Sequence, residues 1–360
     1  MKPSWATVGV AFTLTAHVVD ATSCPLPICS RCLTREESHA LGIGFDLSAA
    51  YGTAVIRYHN GSVVNVAKIY ASQEYQDLVN QLSGRRQGAL RHRFGPITDE
   101  AVHIGEEPSQ RRLQTPDLDI DAISFLISEL KAQTEQLLGH PLHFVAISSP
   151  DYIQLSETEI AQAIEPLGLK NLPNQHGLSL TSSEYAGYSS GLITIPTTLN
   201  PCDEKPNQTE TILHLEYTQT ALSGSISNLQ DSALHHTNNV FADWHLGLSN
   251  KPRFIEEEAY WDQLWRCLRR HVQDVESKIT KVILTGDAVL PDNLRFFQVA
   301  RSALHGFVEP SVLHALGDDT LDPVFMAARG AAEFAKRTQG SYRNCIESEK
   351  CRALRGSFSF

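Results

Sequence analysis

The chain has 360 residues, 42% of them apolar and 20% charged, close to the average for globular proteins. That balance excludes a disordered chain, a coiled coil and a collagen-like repeat. With 30 Lys and Arg against 41 Asp and Glu, the formal charge is −11. Such a chain lacks the basic footprint of a nucleic-acid binder or of a protein drawn to anionic lipid. Length alone suggests two domains of about 150 residues each.

Met1 to Trp5 precede an apolar run from Ala6 to Val19, and Val19-Asp20-Ala21 offers small residues for cleavage. This predicts a signal peptide over residues 1–21, with a buried N-terminal strand or helix as the alternative. The run is too short and too polar to cross a bilayer, which takes about 20 apolar residues, and no later segment does better. Membrane insertion is therefore not expected. Cys24, Cys29 and Cys32 lie near one end and Cys345 and Cys351 near the other. In an oxidising compartment such clusters would be bridged and would tie down the chain ends. The alternative is a zinc site built from Cys24, Cys29, Cys32 and a distant thiol. Cys202 and Cys267 are isolated, and an odd total of 7 leaves at least one thiol unpaired. Asn60-Gly61-Ser62 and Asn207-Gln208-Thr209 are glycosylation triplets for the same compartment. The expected location is the secretory pathway, ending outside the cell or in a vacuole.

Leu41 to Leu47, Tyr51 to Tyr58 and Val63 to Ile69 read as three strands of an antiparallel meander. Asn60-Gly61 supplies the positive φ of a tight hairpin turn between the last two. A helix follows over Ser72 to Leu82, and an Arg-, Gly- and Pro-rich excursion runs from about Gly84 to Pro116. Asp119 to Leu138 carries Ile120, Ile123, Leu126, Ile127 and Leu130 on one helical face. His143 to Ser148 is a buried strand, and Ser156 with Glu159 caps a helix reaching Ile164. A composition shift near Pro196 to Asn207 marks a boundary.

The second half repeats the opening. Thr211 to Tyr217 and Thr220 to Ile226 form another hairpin, followed by a helix over Glu256 to Ile279 and a strand over Lys281 to Gly286. Asn293 to His305 and Pro323 to Lys336 are further helices. The pattern is a duplicated α/β architecture over 41–205 and 206–340, with a tail at 341–360.

Five segments, in order, carry a family resemblance. They are Ile43-Gly44-Phe45-Asp46-Leu47-Ser48, Val145-Ala146-Ile147-Ser148-Ser149-Pro150, Thr181-Ser182-Ser183-Glu184-Tyr185-Ala186-Gly187-Tyr188, Leu215-Glu216-Tyr217-Thr218-Gln219-Thr220, and Val282 to Asp287 with Asp322-Pro323 and Ala328 to Ala332. Together they resemble the actin, hexokinase and heat-shock-chaperone ATPase superfamily, and most of all the nucleotide-binding domain of the 70-kilodalton chaperones. The resemblance covers about Leu41 to Lys336 and rests on order and spacing rather than on one motif. It implies an α/β, two-lobed actin-like ATPase fold of the ribonuclease-H type, each lobe a mixed sheet flanked by helices. It also implies ATP or ADP with Mg²⁺ between the lobes. Asp46 and Glu216 would hold the metal, and Asp46, Ser48, Thr218, Gly286 and Asp287 would meet the nucleotide. Glu184 and Glu216 would be the catalytic acids.

The departures from the family bear on activity. Ser48-Ala49-Ala50 lacks the first loop's glycine and threonines, and Tyr217-Thr218-Gln219-Thr220 lacks the second loop's glycines. Side chains stand there where phosphates need bare backbone. Asp287 replaces a second glycine, and no counterpart of the chaperones' catalytic lysine is identified. The expectation is weak or lost hydrolysis, in a module that binds a nucleotide or a protein partner.

Gly187-Tyr188-Ser189-Ser190-Gly191 also satisfies the G-x-S-x-G pattern of a serine hydrolase. Ser189 would be its nucleophile, with Asp243 and His245 or Asp231 and His235 completing the set. That motif requires a strand before the serine and a helix after it. Gly42-Ile43-Gly44 fails the dinucleotide fingerprint, because Leu47 stands at its third glycine. His235-His236 and the arginines from Arg85 to Arg93 read as solvated.

Overall fold

The computed structural model describes residues 27–93, 120–153, 155–172, 180–192, 210–230, 233–318, 321–340 and 345–356. The expected signal peptide, Cys24, Cys202, Asn207, Asp231 and residues 94–116 of the excursion lie outside them. The chain divides into two compact units, one holding residues 33–199 and 205–341 and the other the remaining terminal and 200–204 segments.

The larger unit opens with the short helix α1 (Arg35–His39), started by a reciprocal Thr34–Glu37 capping box. Strands β1 (Gly42–Leu47), β2 (Tyr51–Arg57) and β3 (Val63–Tyr70) form the expected meander. The β2–β3 turn spans three residues rather than two. Tyr58 N–H donates to Ser62 O at 2.9 Å, Gly61 N–H donates to Tyr58 O at 3.2 Å, and Gly61 carries the positive φ of 93°.

Then come α2 (Gln73–Arg93), α3 (Ile120–Leu138), β4 (Phe144–Ser148), α4 (Glu157–Ile164), β5 (Lys170–Asn171) and α5 (Ser182–Ser189). Helix α2 runs through Arg93, so the excursion expected from Gly84 begins later. Ser156 and Glu159 form the predicted capping box of α4. The first sheet has the order β3-β2-β1-β4-β5, with β4 parallel to β1 and β5 parallel to β4.

The second sheet contains β6 (Glu210–Tyr217), β7 (Leu222–Gln230), β8 (Ala233–Asp243) and β9 (Lys281–Thr285), in the order β8-β7-β6-β9. Strand β9 is parallel to β6. Strand β8 was not expected, because its polar Asn and His content hides the alternation that marks a strand. Helix α6 (Glu257–Val272) stops short of the expected Ile279, which instead bridges to Val308 and is buried in the second core. Helices α7 (Leu294–Leu304), α8 (Pro310–His314) and α9 (Met326–Gly340) complete this unit. The result is a mixed α/β structure of two mixed sheets flanked by helices, compatible with a two-lobed arrangement.

Side-chain alternation along β1 and β6 places both the cores and the site. Ile43, Phe45 and Leu47 enter the core shared with α2, α3 and α4, and Leu213, Leu215 and Tyr217 enter the core shared with α6 and α7. On the opposite face of β1, Gly42 and Gly44 leave the strand bare under α9. A Cβ there would lie 2.0 Å from Ala332 O and 2.2 Å from Ala328 O. Helix α9, which follows the second sheet in sequence, therefore lies on β1, β2 and β4 of the first. Helix α5 packs across it at Gly330, where a Cβ would meet Tyr185 O at 1.7 Å.

In the smaller unit, Ile28 pairs with Ile346, and disulfides join Cys29 to Cys345 and Cys32 to Cys351, the latter in α10 (Glu349–Gly356). Both thiols that the zinc alternative needs from residues 29 and 32 are thus oxidised. Disulfides are compatible with a secreted protein. Among the described residues, no helix is long and apolar enough to cross a membrane.

Candidate functional site

The faces of β1 and β6 that lie toward α5 and α9 end in acidic residues, Asp46 and Glu216. Around them the strand registers build two polar rows. In the first sheet Lys68, Thr53, Asp46 and Ser148 stand opposite one another across β3, β2, β1 and β4. In the second, Ser223, Glu216 and Thr285 do so across β7, β6 and β9. Asp46, Asp151, His214, Glu216 and Asp287 are each no more than 7% exposed. Ionisable groups at such depth persist only when hydrogen-bonded or paired.

Serine hydroxyls hold the two central acids. Asp46 Oδ1 accepts from Ser148 and, at 2.8 Å, from Ser182 at the start of α5. Glu216 Oε1 accepts from Ser48 in the β1–β2 turn, and its Oε2 accepts from Ser223 at 3.1 Å. Burial raises the Asp46 carboxyl, against the lowering effect of its serine donors. Burial pushes Glu216 up to about 7, with the Asp46 charge adding to the rise and Ser48, His214 and Ser223 opposing it. Among the described residues, neither acid has a salt-bridge partner.

Two further acids are paired across the sheets. His214 Nδ1 lies 2.9 Å from Asp151 Oδ2 and its Nε2 lies 2.8 Å from Thr285 Oγ1, while Ser183 donates to Asp151 Oδ1 at 2.6 Å. The contacts are those of a hydroxyl–imidazole–carboxylate relay. Thr285 is buried, however, and the next N–H, that of Gly286, donates to Pro323 O at 3.1 Å. The relay ties β6, β9 and α5 to the end of β4 rather than presenting a nucleophile with an oxyanion donor. Lys68 Nζ lies 2.6 Å from Asp287 Oδ2, joining β3 to the turn after β9.

The structure thus brings Asp46, Ser48, Glu216 and Asp287 of the expected site into one polar layer. Thr218 folds onto its own turn, with its hydroxyl donating to Ala221 O at 3.0 Å. Gly286 serves the backbone: its φ is 108°, and a Cβ would meet Tyr217 O at 2.2 Å. Glu184 is the third residue of the α5 capping box, and its described bonds run from Thr181 N–H at 2.8 Å and Thr181 Oγ1 at 3.2 Å. Its neighbour Ser182 is the α5 residue that reaches Asp46. Tyr217 turns away from the layer to stack on Phe296 and to meet Tyr260 OH at 2.8 Å.

Lys68, Asp151, Ser182, His214 and Thr285 escaped the sequence reading. Lys68 carried one signal, as the sole charge in the β3 sequence Val63–Tyr70. Ser189 ends α5, so helix precedes it where a nucleophile elbow requires strand. Asp243, its proposed partner, accepts from the His245 backbone N–H at 2.9 Å.

A Mg²⁺-nucleotide does not fit these residues. A phosphate cradle needs backbone N–H groups that the protein leaves unpaired. In the β6–β7 turn all four are taken. Thr218 N–H donates to Ala221 O at 2.9 Å, Gln219 N–H to Asp287 Oδ1 at 2.8 Å, and those of Thr220 and Ala221 to Thr218 Oγ1 at 3.2 and 2.9 Å. Both Glu216 oxygens already accept hydroxyls. Among the described residues, no group of three or more His, Cys, Asp or Glu side chains is arranged to hold a metal.

No protein-family model matches the chain, and no curated protein sequence matches it.

Proposed function

We propose that the chain is a divergent, two-lobed relative of the actin, hexokinase and chaperone ATPases that has lost the nucleotide cycle and acts as a secreted protein-interaction module. Three features support the kinship. Each sheet is built on a central strand, β1 or β6, with an antiparallel partner on one side and a parallel strand on the other. In each half three antiparallel strands come first, and a strand parallel to the first of them follows after an intervening helical segment. The helices that follow each half, α5 and α9, cross at a glycine.

The observation that carries the loss of nucleotide chemistry is the Ser48–Glu216 hydrogen bond. It joins the β1–β2 turn directly to the end of β6, which a triphosphate bound as in the resembled family would have to separate. What remains is the scaffold, with large apolar side chains such as Tyr70, Phe125, Ile255 and Leu294 exposed on its surface. Titration calorimetry with Mg-ATP and Mg-ADP tests the reading. No saturable heat is expected at millimolar ligand, whereas micromolar binding abolished by Asp46→Ala would overturn it.

A further inference from the structure

Lys68, Gln219 and Asp287 come from three separate segments and converge on one point. The Asp287 carboxylate is 7% exposed and uses both oxygens there. Its Oδ2 lies 2.6 Å from Lys68 Nζ, and its Oδ1 accepts from Gln219 N–H at 2.8 Å. The ammonium also lies over two aromatic rings, at 4.4 Å from the centroids of both Tyr51 and Tyr70, and it donates to Tyr70 OH at 3.1 Å. Cation–π contacts with two rings restrict where Nζ can go while it meets the Asp287 carboxylate. A fixed ammonium and a backbone N–H aimed at the same place make a cradle for an oxyanion.

We propose that Asp287 is an internal plug: the chain places its own carboxylate in an oxyanion cradle formed by Lys68 Nζ and Gln219 N–H, and so keeps a free oxyanion such as phosphate out. A carboxylate and a phosphate present the same kind of acceptor, but the carboxylate is tethered, so a free anion must displace a group held at high effective concentration. Gly286 makes the tether possible. Its positive φ turns the chain immediately before Asp287, and its missing Cβ lets the turn sit against the Tyr217 backbone. A plain ion pair between the two sheets would show the same distances, but it gains no ligand affinity when the acid is removed. The plug does.

This proposal deepens the closed-site reading above by naming the residue that closes one part of it. The test uses the full chain, with inorganic phosphate as probe and chloride at matched ionic strength as control. Wild type is expected to show no phosphate-dependent change in Tm. Asp287→Ala is expected to bind phosphate with Kd in the millimolar range, giving a Tm rise of about 3 °C at 20 mM ligand. Adding Lys68→Met should abolish that rise. If Asp287→Ala does not fold, Asp287→Ser serves in its place, because its shorter side chain removes the charge and vacates the position that the carboxylate oxygens hold between Lys68 Nζ and Gln219 N–H. A phosphate-blind variant overturns the plug and leaves the closed-site reading standing, and so does a wild type that binds phosphate as well as the variant. Binding of Mg-ATP by wild type would instead overturn the closed-site reading.

Discussion

The Ser48 hydroxyl, in the turn between β1 and β2, donates to the Glu216 carboxylate at the end of β6, across 168 residues of sequence. Each residue sits at the end of a central strand, so this one bond fixes the two sheets at their most polar point. It works alongside Asp151–His214 and Lys68–Asp287, which also join segments of the two halves. Such a layer is stable only while its members stay satisfied, since a buried polar group without a partner costs about 1–3 kcal/mol.

Glu216 gives the chain a specific pH response. Its folded pKa of about 7 lies above the ordinary value of 4.5, so the folded state holds the proton more tightly than the unfolded one. The contribution is fully present below pH 4.5 and is lost as pH rises through 7. Between pH 5.5 and 8 this loss amounts to about 2 kcal/mol. Glu216→Gln keeps the shape without the titration. Urea midpoints measured at both pH values should show wild type losing ground to the variant by about that amount at pH 8, and equal slopes would refute the assignment.

His271 acts with the opposite sign. Burial holds its pKa down to about 3, its Nε2 has no hydrogen-bond partner among the described residues, and its ring packs on Phe241 at 4.3 Å. Its contribution is present above the ordinary pKa of 6.5 and is lost as pH falls toward 3. His271→Leu should therefore gain on wild type by about 2 kcal/mol between pH 7.5 and pH 5. Denaturant titrations of the pair at the two pH values measure it. Across pH 4.5 to 6.5 the two groups oppose each other, so only variant-minus-wild-type differences separate them.

Gly330 is the contact on which the α5–α9 crossing depends. Any side chain there begins with a Cβ 1.7 Å from Tyr185 O, a backbone atom that cannot rotate away. Gly330→Ala should destabilise by about 3 kcal/mol or more, at or beyond the usual cost of overpacking. Gly139→Ala is the control: a Cβ at Gly139 meets nothing within 4 Å, and its φ of 74° leaves only backbone strain. Thermal melts of the two variants should differ by several degrees, with Gly330→Ala the lower.

The disulfides Cys29–Cys345 and Cys32–Cys351 close nearly the same loop, with sequence separations of 316 and 319. Either one alone restricts the unfolded chain almost as much as both together. Replacing one pair with serine should cost little, and replacing both should cost about 5 kcal/mol through the freed chain entropy. The urea midpoints of the single and double knock-outs test this. Equal steps for the first and second bridge would contradict it.

Local rules written into the sequence account for much of the secondary structure. Ser156 with Glu159 starts α4, Asn293 caps α7, Gly61 turns β2 into β3, and apolar periodicity marks α3. The end of a strand also singles out Asp46 and Glu216, because alternation puts them on the face opposite Phe45 and Leu215. These signals span a few residues and need no partner.

What the sequence by itself determined is therefore most of the strands and helices, a mixed α/β class, and two of the acids in the polar layer. The tertiary structure alone decided which groups those acids meet. Lys68 shares a face with Asp46 because the turn at residues 59–61 and an irregularity in the β2–β3 pairing near Ala54 set its register, and a slip of one residue would have turned it to the other side. Ser182 rather than Glu184 reaches Asp46, because the start of α5 orients the one and uses the other as a cap. Lys68 and Asp287 meet across 219 residues. No local pattern encodes such a meeting, because it depends on bare glycines at 42, 44 and 330 that let α9 and α5 seat closely.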